Sequence, residues 1–171
     1  MTHAVASSAF PAPEHDHDLC LEEAMERARE AFQNRGLKLT PLRQAVFGEI
    51  AASHKAIGAY EVLDRLAARG ERLAPISVYR AIEALVSAGI VHRFESRNAY
   101  FACNASHEVR RLVLACEACS RVSEVAGDRV FEAIDKSAGS AGFSARTAVV
   151  EVWGLCASCA GAGREPAHGD A

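Results

Sequence analysis

No stretch of this 171-residue chain is apolar for long enough to suggest a membrane span, although half of its residues are hydrophobic. That composition points to a folded protein with a sizeable core. The start lacks a charged segment followed by an apolar one, so no export signal is expected and the cytoplasm is the expected location. Enzyme signatures are missing too, with no His-Glu-x-x-His, no glycine-rich phosphate loop and no nucleophile elbow. The chain is therefore expected not to be an enzyme and to take no small-molecule substrate. Nor is there an excess of basic charge, since the formal net charge is −3. This excludes coating nucleic acid through bulk positive charge, while a local basic face can still bind DNA.

What is present is cysteine, six residues in all, four of them in the pairs Cys116/Cys119 and Cys156/Cys159. Each Cys-x-x-Cys turn presents two sulfurs from one tight loop, and two such loops together supply the four thiolates of a closed zinc site. A redox-active dithiol, a disulfide framework and chance are the competing readings. Against redox chemistry, neither pair has the aromatic, Gly-Pro flanks of a thioredoxin-like motif or opens a clear helix. In a reducing cytosol, cysteines in pairs suggest metal rather than disulfides. The segment between the pairs can hold one helix and a small β-α-β sheet.

Along the chain, Leu21, Ala24, Met25, Ala28 and Phe32 fall at helical spacing before a stop at Gly36. Thr40-Pro41 then reads as an N-cap and first helical residue, with Leu42, Val46 and Ile50 as the buried stripe of a second helix. A third helix runs from about Ala59 to Arg69, its core face being Val62, Leu63 and Leu66. A fourth starts near Ser77, whose hydroxyl is expected to cap it, and stops at Gly89; Ile82, Leu85 and Val86 are expected to face the core. The β-rich runs Ile90 to Phe94 and Tyr100 to Cys103, joined across Glu95 to Ala99, predict a hairpin.

Helix, turn, helix and hairpin in this order predict a winged helix whose Ser77–Ala88 helix enters the major groove. Arg80 can donate a bidentate pair to guanine, and Tyr79 can pack on a thymine methyl or hold a phosphate. The plain alternatives are a solvated arginine and a half-buried packing tyrosine. Arg35, Lys38, Arg43, Arg65, Arg93 and Arg97 add basic charge suited to phosphate contacts, or merely to the surface.

The wording Leu39-Thr-Pro-Leu-Arg43, then Ser77-Val-Tyr-Arg80 and Ala88-Gly-Ile-Val91, then two Cys-x-x-Cys pairs with Gly154-Leu-Cys156, resembles the ferric-uptake-regulator family over about residues 20 to 160. Ala59-Tyr-Glu-Val-Leu63, Val91-His-Arg-Phe-Glu-Ser96 and Asn98-Ala-Tyr-Phe-Ala-Cys103 look most like its zinc-uptake-regulator branch. The resemblance implies an α+β chain. A winged-helix DNA-binding domain would occupy 19–96, a hinge and end of the wing 97–105, and a small α/β dimerisation domain with a four-cysteine zinc site 106–160. Disordered tails are expected at 1–18 and 161–171, where His3, His15, His17 and His168 are read as solvated or weakly metal-binding.

Carried over residue by residue, the resemblance gives Cys116, Cys119, Cys156 and Cys159 to a structural zinc. It puts Tyr60 and Arg80 where relatives contact DNA, with Ser77 and Tyr79 beside them. A regulatory zinc would take His92, Cys103 and Glu124, with His107 as fourth ligand and Glu108 or water as alternatives. His107 lies two residues further from Cys116 than the family's histidine, where Val109 stands. A packed histidine and a small core thiol are the plain readings of His92 and Cys103. The implied protein is a homodimeric repressor that binds near-palindromic operator DNA when the regulatory site is filled, with one structural and one regulatory zinc per subunit. An iron, manganese or peroxide sensor of the same family is the nearer alternative, although the His-rich run of ferric regulators is missing. A thiol- or zinc-dependent enzyme is the distant one. Ser120 replaces a common glycine and Leu42 a common glutamine, and Cys20 has no family partner and reads as structural or incidental.

Overall fold

The α-helices of the N-terminal half form where the apolar spacing and the capping residues agree, and they pack on one another through that spacing. In the computed structural model, which describes residues 10, 16–103 and 110–166, the chain divides into a first unit over Asp16–Ala105 and a second over Ser106–Ala171, to which Phe10 belongs. The first unit holds α1 (His17–Asn34), α2 (Pro41–Ala51), α3 (Ala59–Ala68), α4 (Pro75–Ala88) and the strands β1 (Val91–Phe94) and β2 (Ala99–Ala102). Helix α1 is capped by Asp16, whose carboxylate accepts from the backbone of Asp18 and Leu19. Helix α2 starts as expected, with the Thr40 hydroxyl accepting from the Arg43 N–H and proline at its first position.

All of these helices and the wing share one core of Phe32, Val46, Phe47, Ile50, Val62, Leu66, Val78, Ile82, Leu85 and Val91. Glu49 is the exception inside it, 2% exposed, with its carboxylate 2.8 Å from the Arg69 guanidinium at the end of α3. Gly89 closes α4 at φ 77, a conformation that a Cβ would disfavour. The antiparallel hairpin pairs Val91 with Ala102 and Phe94 with Ala99, and it turns through a short 3-10 segment, Glu95–Arg97, and Asn98. A bridge between Ile57 and Tyr100 ties the α2–α3 turn to the wing.

Three expectations change. Helix α4 begins two residues before Ser77, with Ala74 as N-cap, so Ser77 caps nothing and instead its N–H donates to Ala74 O. Pro75 sets the earlier start because its missing N–H is harmless in a first turn. Val86 lies 38% exposed rather than in the core, while Ala81 takes a buried place on the α4 face with Val78, Ile82 and Leu85. Helix α1 begins at His17, inside the segment read as a tail, because Asp16 caps it. The remaining tail residues, 1–15 apart from Phe10, and 167–171, lie outside the described residues.

The second unit is a sheet in the order β4-β3-β5, from β3 (Arg111–Cys116), β4 (Val122–Ala126) and β5 (Glu151–Gly154), with α5 (Asp128–Ser140) and the short α6 (Ala157–Gly161). Strand β3 runs antiparallel to β4 and parallel to β5. Among the described residues its buried apolar side chains are few: Val113, Ala115, Val122 and Phe131, beside the cysteines. Among the described residues no helix is long and apolar enough to cross a membrane.

Candidate metal centres and nucleic-acid interface

The parallel pairing of β3 with β5 sets Cys116 opposite Gly154, so the two Cys-x-x-Cys turns leave the sheet side by side. Cys119 follows in the turn to β4, and Cys156 is the residue that precedes α6, with Cys159 in its first turn. Backbone bonds lock this end of the sheet: Cys116 N–H donates to Arg121 O, Ser120 N–H to Cys116 O and Glu117 N–H to Gly154 O. Ser120 holds φ 59, the left-handed conformation that explains why glycine is common there. The ligand atoms of the four cysteines lie within 4.8 Å of one another.

Cys119 Sγ and Cys156 Sγ are 3.9 Å apart. Four thiolates about 2.3 Å from a tetrahedral ion would be spaced by about 3.8 Å, so the donor set and its spacing fit zinc. Burial pushes the Cys116 thiol up, but backbone N–H groups of Cys156, Cys119 and Ala118 outweigh it and hold it down at about 6. Burial pushes Cys119 up. Burial and the neighbouring sulfurs push Cys159 up to about 12. The Cys116 thiolate is thus stabilised while Cys119 and Cys159 resist ionising, a conflict that a divalent cation at their centre would relieve. Phe10, Ala118 and Cys119 pack against this buried cluster.

On the wing, half-buried His92 projects from β1 beside Phe101, ring centroids 5.8 Å apart. Cys103 follows β2, buried, its N–H donating to Ile90 O. The His92 and Cys103 ligand atoms lie within 4.8 Å of each other. Glu124 belongs to the second unit, half-buried on β4 opposite Val113. His107 and its alternative Glu108 lie outside the described residues.

The expected DNA-contacting residues gather on two helices of the first unit. Tyr60, in the first turn of α3, is 65% exposed, and its ring meets that of half-buried Tyr79 on α4 edge-on at 6.3 Å. Arg80 is exposed next to Tyr79, whereas Ser77 is half-buried. Ile76, 57% exposed in the first turn of α4, was not singled out from the sequence, although an exposed isoleucine near an arginine is the available signal. Several basic side chains named above are engaged within the unit: Arg65 with Glu61 at 2.6 Å, Arg93 with Glu95 at 3.2 Å, and Arg43 over the Phe32 ring. A further group, His17, Cys20 and His54, also converges, its ligand atoms within 4.8 Å of one another. Sequence reasoning missed it because His54 is 34 residues from Cys20; the signal was only the helical spacing of His17 and Cys20.

A winged helix joined to a unit whose sulfurs can hold zinc defines a class, the winged-helix metal-binding proteins. Within that class the chain belongs to the ferric uptake regulator family, whose model matches residues 34–153. It is 32% identical over 140 residues to the zinc uptake regulation protein of Escherichia coli, covering 81% of this chain and 82% of that one. To the zinc uptake regulation protein of Mycobacterium tuberculosis it is 30% identical over 128 residues, covering 72% and 95%. The solved structure of a zinc uptake regulator complexed with zinc and DNA superposes with a TM-score of 0.76 at 31% identity, over 84% of this chain and 97% of that one. Holo XcZur gives 0.72 at 36% identity, over 82% and 99%.

Proposed function

We propose that this chain is a zinc-responsive transcriptional repressor that binds operator DNA as a homodimer when its regulatory zinc is present and so controls zinc uptake genes. The observation that carries the reading is the likeness, over more than four-fifths of the chain, to a zinc uptake regulator bound to zinc and DNA. The residues agree with it. Cys116, Cys119, Cys156 and Cys159 form the structural zinc site, whose all-thiolate closed shell suits a permanent ion. His92, Cys103, Glu124 and His107 are the proposed regulatory set, and its single sulfur makes the ion more exchangeable than four would.

On the DNA side, Arg80 is proposed to read a guanine by a bidentate pair, with Tyr79 and Tyr60 packing against the groove wall and Ser77 near a phosphate. Exposed apolar side chains on the second unit, Phe143, Val149, Val152, Trp153 and Leu155, are what pairing with a second copy would cover. Metal and operator then favour each other through linkage, with a coupling of about 1–3 kcal/mol.

Operator binding followed by fluorescence anisotropy, with zinc, iron(II) or manganese(II) added to chelated protein, tests the reading. Zinc should give tight binding at the lowest free metal concentration. Replacing Cys103 with Ser should abolish zinc-dependent binding yet leave one tightly held zinc per subunit. Binding driven equally well by iron or manganese would overturn the zinc assignment, and a zinc-free Cys103→Ser product would contradict the two-site scheme.

A further inference from the structure

We propose that His17, Cys20 and His54 form an additional zinc site within the winged-helix unit, separate from the structural and regulatory sets. Their three ligand atoms lie within 4.8 Å of one another, and all three side chains are half-buried. Ligands on a tetrahedral zinc are about 3.3–3.8 Å apart, a distance that half-buried side chains can reach by small rotations. The sequence builds this convergence in three steps. Asp16 caps α1 through Asp18 and Leu19 N–H, fixing the first helical turn. That turn sets His17 and Cys20 at i and i+3, on one face of the helix. The packing of α1 on α2 through Ala24, Ala28 and Phe32 then places this face over the end of α2, where His54 follows.

His17 Nε2 lies 2.5 Å from the carbonyl oxygen of Ala52, the C-cap residue just after α2. A carbonyl can only accept, so Nε2 carries the hydrogen, and a metal would be taken by Nδ1. Metal-ligating histidines are oriented in this way, by donating the other ring N–H to a backbone carbonyl. The His54 ring stands edge-on to His17 with centroids 5.3 Å apart. Two imidazoles and one thiolate suit zinc and disfavour magnesium or calcium. Binding takes one proton from the Cys20 thiol to solvent, forms one Zn–S and two Zn–N bonds, and leaves a fourth position to water. Three protein ligands and a water make an exchangeable site, unlike the closed four-cysteine set.

The site's location gives it a consequence. His54 lies in the turn before Ile57, which bridges to Tyr100 of the wing, and before α3, which carries Tyr60. Zinc there would stitch the start of α1 to the turn that positions both. The test is zinc stoichiometry of the full chain by equilibrium dialysis, in wild-type and Cys103→Ser backgrounds, with Cys20→Ala and His54→Gln added separately. Each added substitution should lower the count by one zinc per subunit in both backgrounds, with the far-ultraviolet circular dichroism unchanged. In the cobalt-loaded Cys103→Ser protein, Cys20→Ala should also remove part of the thiolate-to-metal charge-transfer band. Unchanged counts with His54→Gln and an unchanged band with Cys20→Ala would overturn the site.

Discussion

Stripping zinc from the four-cysteine cluster, or replacing Cys159 with Ser, should unfold the second unit and leave the first standing. The reason is the size of the two cores. In the second unit Val113, Ala115, Val122 and Phe131 are the buried apolar side chains besides the cysteines, among the described residues. At about 1.5–3 kcal/mol for each large side chain, Val113, Val122 and Phe131 contribute roughly 4.5–9 kcal/mol, and Ala115 adds little. A structural zinc in a small domain contributes about 10–16 kcal/mol of apparent binding free energy at neutral pH, more than that whole core. The winged helix has no such dependence, because Phe32, Phe47, Ile50, Leu66, Ile82 and Leu85 are all nearly inaccessible there. Spectroscopy separates the two, since the single tryptophan, Trp153, lies on β5, and the tyrosines, Tyr60, Tyr79 and Tyr100, lie in the first unit. Chelation at neutral pH should therefore move the Trp153 emission to that of a fully exposed indole. Helical ellipticity should fall by about a quarter, because α5 and α6 have 13 and 5 residues against 18, 11, 10 and 14 in α1 to α4. Chelated protein that keeps both its tryptophan emission and its full ellipticity would refute the reasoning.

Zinc loading should release one more proton per ion as pH falls through about 6, because the Cys116 thiol is held down to that value. Above it Cys116 is already a thiolate; below it the metal must displace its proton, which weakens apparent affinity by a further factor of about ten per pH unit. Titration calorimetry in buffers of different ionisation enthalpy counts those protons, and a constant count from about pH 7.5 to about pH 5 would disprove it. Replacing Gly127 with Ala should destabilise the second unit by about 1–3 kcal/mol, read as the midpoint of Trp153 emission in denaturant. The added Cβ would sit 2.9 Å from both Leu112 and Phe131 side chains. Arg69→Ala should destabilise the first unit by about 1–3 kcal/mol in chemical denaturation, because it leaves the buried Glu49 carboxylate without its partner. Arg80→Ala should weaken specific operator binding by about 1–3 kcal/mol without changing metal content, measured by anisotropy against mutated operators.

Much of the architecture is written locally. Thr40-Pro41 starts α2 by a hydroxyl cap and a fixed φ, Gly89 ends α4 because it accepts the left-handed conformation, and the apolar spacing of Val62 and Leu66 selects the buried face of α3. Two Cys-x-x-Cys turns fix the chemistry of a metal site because thiolate preference depends on residue type and short spacing alone. Local wording also misled where two signals competed, as at Ser77, where Pro75 starts the helix one half-turn sooner.

Other features needed the fold, because they depend on residues far apart in the chain. The β3–β5 pairing that brings Cys116 opposite Gly154 joins positions 38 apart, and only a parallel crossover through α5 creates it. The ionisation contrast between Cys116 and Cys159 arises from N–H groups and sulfurs that meet only there. Burial of Glu49 against Arg69 and the meeting of His17, Cys20 and His54 likewise follow from how α1, α2 and α3 pack. Residue order determines which side chains can ligate, cap or read a base; packing decides which of them share a few ångströms.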